Sequence, residues 1–110
     1  MGRPVNQGDV RWYTFREPDK RRPVLILTRN SAIPFLTSLT IAPITTTIRS
    51  IPTEVVVTQA DGLFTECAIN LDNIQTVQKA GIGAFIAHLS IHRMREVRKA
   101  VEFALGFDAL

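Results

Sequence analysis

The sequence predicts a mainly β protein of the α+β class: a small antiparallel β-barrel with one C-terminal amphipathic helix. Three observations carry this. Short apolar or alternating runs, separated by Pro, Gly and charged residues, fill most of the chain. The apolar spacing then changes to three and four residues from Ile91 onward. With 110 residues, the chain has room for a single core, read as one domain over 1–110.

The elements follow in order. Asp9–Phe15 alternates and is rich in aromatic residues, as a strand does, and Arg16–Arg22 is a charged loop containing Pro18. Pro23–Thr28 is apolar throughout, the pattern of a central strand buried on both faces, with Pro23 at its tolerated starting position. Arg29–Phe35 is a connection. Leu36–Thr45 alternates hydroxyl and aliphatic side chains, a strand with one wet face, and Pro43 marks an edge or a bulge. Thr53–Thr58, Phe64–Leu71 and Ile74–Val77 are three further short strands, within an expected total of five to seven. Ile91, Met94, Val97, Val101 and Leu105 then form one helical stripe, with Ser90 as N-cap and Gly106 as stop.

Composition narrows the function. The hydrophobic share of 45% and charged share of 21% belong to a folded chain. The net charge is +3, and arginine supplies ten of the 13 basic residues. Guanidinium pairs with phosphate bidentately and stacks on bases, so the surplus fits a nucleic-acid partner, although a mere compositional bias toward arginine would look the same. A single cysteine, Cys67, excludes an intrachain disulfide and a multi-cysteine metal site. The first nine residues lack the apolar run of a secretion signal, and no stretch of about 18 apolar residues could span a membrane, so the expected compartment is the cytoplasm.

Standard catalytic signatures are missing: no G-x-S-x-G, P-loop, G-x-G-x-x-G or H-E-x-x-H. His88 and His92 are split by the helix start at Ser90 and would not share a face, and the carboxylates are dispersed, so no metal site is expected. Three polar groups stand out, each with two readings. Arg22 at the mouth of a buried strand is fit to grip a phosphate, or else caps the barrel and pairs with Glu17 or Asp19. Thr45-Thr46-Thr47 with Arg49 is a phosphate-contact set or a polar strand end. Asn70–Gln75, with Asp72 and Asn73, carries the donors and acceptors that read unpaired base edges, or is an ordinary turn. Trp12 and Tyr13 point to opposite faces of their strand, so at most one could stack on a base.

Taken in order and spacing, these segments resemble the MazF/PemK toxin family. The matching pieces are Gly8-Asp9-Val10 with Trp12 and Phe15, Arg22-Pro23-Val24-Leu25-Ile26-Leu27, Pro43-Ile44-Thr45-Thr46-Thr47, Ile51-Pro52-Thr53-Glu54-Val55, Asn70-Leu71-Asp72-Asn73-Ile74 and Leu89-Ser90, together covering roughly residues 7 to 106. The resemblance implies the family's SH3-like barrel, active as a homodimer. It implies cleavage of single-stranded RNA at a short sequence by attack of the ribose 2′-OH, without metal or cofactor, leaving 2′,3′-cyclic phosphate and 5′-OH ends. The family's catalytic arginine and threonine fall on Arg22 and Thr45, and its base-contacting segment on Asp72 and Asn73. Thr46 and Arg49 would contact RNA, and Lys20 and Arg21 would hold its backbone. The first loop, Arg16–Arg21, lacks the family's glycine, and Glu17 stands in for a loop glutamate. An acidic, disordered antitoxin tail would cover the groove, within a toxin–antitoxin heterohexamer. Two alternatives on the same fold remain: a barrel that binds RNA without cutting it, and a gyrase poison acting through the end of its last helix. This chain ends EFALGFDAL and lacks the terminal Trp-Gly-Ile associated with that second group.

Overall fold

In the computed structural model, which describes residues 3–16 and 20–110, seven strands precede one long helix. They are β1 (Asp9–Phe15), β2 (Lys20–Ile26), β3 (Ser38–Thr45), β4 (Glu54–Val57), β5 (Cys67–Asn70), β6 (Gln75–Gln78) and β7 (Phe85–His88), followed by α1 (Ile91–Leu105). Every pairing is antiparallel, in the order β4-β5-β3-β2-β1-β7, with β6 also on β3. No pairing joins β4 to β7 among the described residues, so the sheet is a curled half-barrel, with α1 packed on it.

The apolar run of β2 is buried on both faces, as its composition requires. Leu25 belongs to the larger core with Val10, Ile44, Ile69 and the helix residues Val97 and Ala100. Its neighbours Val24 and Ile26 belong to a second core with Leu39, Ile41 and Val77, against which Tyr13 and Phe15 pack. Side-chain alternation along one strand therefore feeds two cores.

Several boundaries differ from the sequence reading. Lys20, Arg21 and Arg22 are not loop but the first residues of β2, paired with Phe15, Thr14 and Tyr13. They form a two-stranded arm in which the ladder, not apolar burial, keeps the chain extended. Pro23 is thus the fourth residue of its strand. The predicted strand Phe64–Leu71 shrinks to Cys67–Asn70. The strand β7 has no counterpart in the sequence reading: it is four residues long and joins β1 at the edge of the sheet, with a register shift between Val10 and Arg11. Gly83, just before it, donates its N–H to the Trp12 carbonyl at 2.8 Å, and a Cβ there would meet that same oxygen at 2.9 Å. Only glycine permits this approach.

Pro43 lies on neither an edge nor a bulge. The strand β3 is bordered by β2 on one side. On the other it passes from β6, along Ser38–Ile41, to β5, along Ile44–Thr45. Pro43 falls in the gap between those two partners, where a missing N–H breaks no ladder bond.

At the start of α1 the Ser90 hydroxyl accepts the Arg93 N–H at 3.1 Å, and the helix stops at Gly106 in the left-handed region, φ 78°. The stripe expected from spacing is only half used. Val97 and Ala100 are buried, but Ile91 and Leu105 are 68% and 55% exposed. Those two side chains border a groove also lined by Leu27, Ile74 and Val101.

Candidate active site

The site begins with two prolines. Both backbone groups of Trp12 bond toward the chain before β7: its N–H to the Ala84 carbonyl at 3.0 Å, its carbonyl from the Gly83 N–H at 2.8 Å. Trp12 therefore turns its polar groups away from β2. Its partner Pro23 must face β3, where it has no N–H to give. The β2–β3 register accordingly stops at Val24↔Pro43. Beyond that point the sheet opens. Continuing the same register by two residues sets Arg22 across from Thr45, on the same face.

Two clefts meet at this opening, and Arg22 and Thr45 line both. The larger, about 380 Å³, adds Trp12, Arg21, Thr46 and Phe64 to its walls. The smaller, about 210 Å³, adds Thr47, Arg49, Glu54, Asn70 and Asn73. Arg22 is half-buried; its backbone pairs with Tyr13, and no ion pair or hydrogen bond joins its side chain to another described residue. Its proposed partners Glu17 and Asp19 lie outside the described residues. The Thr45 hydroxyl accepts the Thr47 N–H at 3.1 Å, which turns the chain at the strand end and leaves the hydroxyl proton available. Arg49 gives its backbone N–H to Glu54 Oε1 at 2.9 Å, so its guanidinium is not consumed by that contact.

The remaining sequence-predicted residues divide. Thr46 and Arg49 each border one cleft, and Asn73 lines the smaller. Asp72 lines neither: its Oδ2 accepts the hydroxyl of buried Thr53 at 2.6 Å, and its N–H is held by Asn70 Oδ1 at 3.0 Å. Lys20 is exposed and borders neither cleft. Arg21 lies with its guanidinium 4.1 Å above the Trp12 ring and lines the larger cleft. Tyr13 packs into the second core against Phe15, so Trp12 alone of the aromatic pair reaches the site.

The sequence reading missed Glu54 and Phe64 as site residues, while Asn70, the first residue of the segment it marked, lines the smaller cleft. Glu54 is the only carboxylate among the described residues lining either cleft. Cys67 also touches the larger cleft, but burial, then the charges of Asp61 and Glu66, push its thiol above the usual range, which makes it a poor nucleophile. No group of three or more His, Cys, Asp or Glu able to hold a metal ion occurs among the described residues. His88 bonds Asp9 at 2.9 Å at one end of β7, and His92 faces Glu96 on α1.

Comparison with known proteins then places this geometry. The family model for PemK-like, MazF-like toxins of type II toxin–antitoxin systems matches residues 6–105. The chain belongs to that family. Among its curated relatives, endoribonuclease MazF3 of Mycobacterium tuberculosis is 41% identical over 90 residues, 82% of this chain and 87% of the relative. The probable endoribonuclease MazF5 of the same organism is 38% identical over 100 residues, 90% of this chain and 91% of that one. The solved Mycobacterium tuberculosis toxin MazF-mt6 superposes with a TM-score of 0.82 at 36% identity, covering 89% and 96% of the two chains. A mycobacterial endoribonuclease in complex with its cognate antitoxin superposes at 0.83 with 27% identity, covering 94% and 96%. The MazF-like half-barrel with its C-terminal helix is therefore the fold of this chain. No helix in it is long and apolar enough to cross a membrane among the described residues.

Proposed function

We propose that this MazF-like toxin cuts single-stranded RNA at the opening between β2 and β3, with Arg22 and Thr45 at the scissile phosphate. The protein is an endoribonuclease toxin of a type II toxin–antitoxin system. The observation that carries the site assignment is the convergence of a half-buried arginine and a strand-end hydroxyl on the seam of two clefts. A bound strand could run through both clefts with its phosphate at that seam.

The chemistry follows from the side chains. The ribose 2′-oxygen forms a bond to the adjacent phosphorus, the bond to the 5′-oxygen breaks, and the products carry a 2′,3′-cyclic phosphate and a 5′-OH. Guanidinium stays protonated, so Arg22 neutralises the charge gathering on the phosphorane and does not act as a base. Thr45 donates its hydroxyl proton to a phosphate oxygen. Glu54 takes the 2′-OH proton, and the departing 5′-oxygen takes one from water. Thr46 and Arg49 hold the strand on either side, Asn73 offers an amide to a base edge, and Arg21 and Lys20 add positive charge along the arm. Asp72 positions the loop that carries Asn73, through its bond to Thr53.

The same reading gives the chain a cognate antitoxin and a homodimeric active form. A structural relative bound to its cognate antitoxin supports the first. The groove beside α1, with Ile91 and Leu105 exposed, is apolar surface of the kind a partner covers. The test is to incubate the purified protein in excess EDTA with a long unstructured RNA and analyse the fragment ends. Discrete cuts ending in 2′,3′-cyclic phosphate support the proposal. No cutting by the folded protein across varied RNAs would leave an RNA-binding barrel or a gyrase poison as the better account.

A further inference from the structure

One wall of the larger cleft is built from three flat π-systems drawn from separate parts of the chain. The guanidinium carbon of Arg21 lies 4.1 Å from the centroid of Trp12, and the rings of Trp12 and Phe64 stack with centroids 5.8 Å apart at 23°. The contact between Trp12 and Arg21 is the diagonal of a cross-strand pair in the β1–β2 arm. Phe64 comes from the turn before β5 and meets them only in the fold. That turn is firmly held: Thr58 and Asp61 cap each other, and Gln59 Nε2 donates to the Phe64 carbonyl at 3.0 Å.

Phe64 is nevertheless 65% exposed. A phenylalanine fixed by its backbone, stacked on one ring and open to water over most of its surface leaves apolar area uncovered at the edge of a cationic cleft. Planarity, a cation in the stack and adjacency to Arg22 and Thr45 are the combination that accepts an unpaired nucleobase.

We infer that Phe64, continued by Trp12 and Arg21, is the stacking subsite for the base next to the scissile phosphate. The inference rests on the nuclease reading above and adds to it a residue in the turn before β5. Stacking gives affinity without hydrogen-bond readout, so this wall grips and orients a base, while the amides of the smaller cleft discriminate among bases.

The probe is a short RNA made uncleavable by one 2′-deoxyribose at the cut position, carrying 2-aminopurine at each site in turn. Wild-type protein should quench fluorescence most strongly at one base flanking the cut. In Phe64→Ala that quench should disappear and affinity should fall about 10-fold to 100-fold. Phe64→Leu, which keeps apolar volume but has no π-face, should resemble Phe64→Ala, and Phe64→Tyr should restore both readings. Because Phe64 is exposed, these variants should keep the fold, and urea midpoints check it. Wild-type binding with quench and affinity unchanged in Phe64→Ala would overturn the subsite alone. Affinity lost in Phe64→Ala but restored in Phe64→Leu would overturn stacking in favour of plain apolar contact. No RNA binding by wild type would overturn the nuclease reading and this one with it.

Discussion

Replacing Arg22 by alanine separates folding from chemistry more cleanly than any other single change. The Arg22 backbone pairs with Tyr13, and its side chain makes no hydrogen bond or ion pair to a described residue. Truncation therefore orphans no described partner, and stability should shift by no more than about 0.5 kcal/mol. The catalytic loss should be much larger. Two unit charges about 4 Å apart at an effective dielectric of about 20 interact by about 4 kcal/mol. That agrees with the roughly 100-fold to 1,000-fold cost of deleting one preorganised donor to a developing oxyanion. Arg22→Lys keeps the charge but loses the planar two-pronged donor, so it should recover about 10-fold over alanine and remain at least about 10-fold below wild type. The assay is single-turnover cleavage with enzyme in excess, which isolates the bond-breaking step from binding and release. Urea midpoints of the three proteins, measured alongside, check the fold. Cleavage by Arg22→Ala within about threefold of wild type at equal stability would refute the electrostatic role. Equal rates for Arg22→Lys and wild type would refute the need for the fork.

Three further outcomes are expected. Thr45→Ser keeps a hydroxyl for both the Thr47 N–H and the phosphate and should cleave within a few-fold of wild type, whereas Thr45→Ala should lose roughly 10-fold to 1,000-fold in single-turnover rate. Glu54→Gln retains an acceptor for the Arg49 N–H but not the basicity, so a large loss of cleavage with unchanged thermal midpoint is expected; full activity would remove Glu54 from proton transfer. The third concerns acid stability. Burial raises the Asp61 carboxyl, but the Arg93 hydrogen bond, the Thr58 N–H and the Arg93 charge outweigh it and hold Asp61 below 3.8. A depressed carboxyl stabilises the folded chain above its unfolded value and loses that contribution as pH falls through the folded one. Asp61→Asn should thus be weaker than wild type by about 1 kcal/mol near neutrality, since the pair is only partly shielded, and the gap should close in urea titrations as pH falls through the lowered folded value. A gap independent of pH would assign the effect to capping alone.

Most of the architecture was legible because local patterning and tertiary burial agree. The apolar run Val24–Ile26 announced a strand buried twice, and Ser90 and Gly106 bracketed the helix that forms. What was illegible depends on contacts between distant residues. The four residues of β7 carry no pattern of their own and become a strand because β1 offers an edge. Lys20–Arg22 read as loop because their polarity hid a backbone ladder with β1. In the site, Arg22 and Thr45 were marked by an Arg-Pro step and a run of hydroxyls, and the two prolines explain why a cleft opens there. Nothing near Asp72 in sequence shows that its Oδ2 accepts the Thr53 hydroxyl, a contact made only in the fold. Phe64 was invisible as a site residue, since its partner Trp12 lies in β1, far from it in the sequence.

The central claim is that the substrate's own 2′-OH is the nucleophile, with Arg22 and Thr45 serving the phosphate it attacks. The measurement that meets this claim most directly is cleavage of two otherwise identical RNA oligonucleotides, one carrying a single 2′-deoxyribose immediately 5′ of the cut phosphate. The account predicts that the two bind with similar affinity, that the all-ribose strand is cut to a 2′,3′-cyclic phosphate, and that the substituted strand is not cut at that phosphate. Cleavage of the substituted strand at the same bond would show that water or a protein side chain attacks instead, and would contradict the mechanism built on this site.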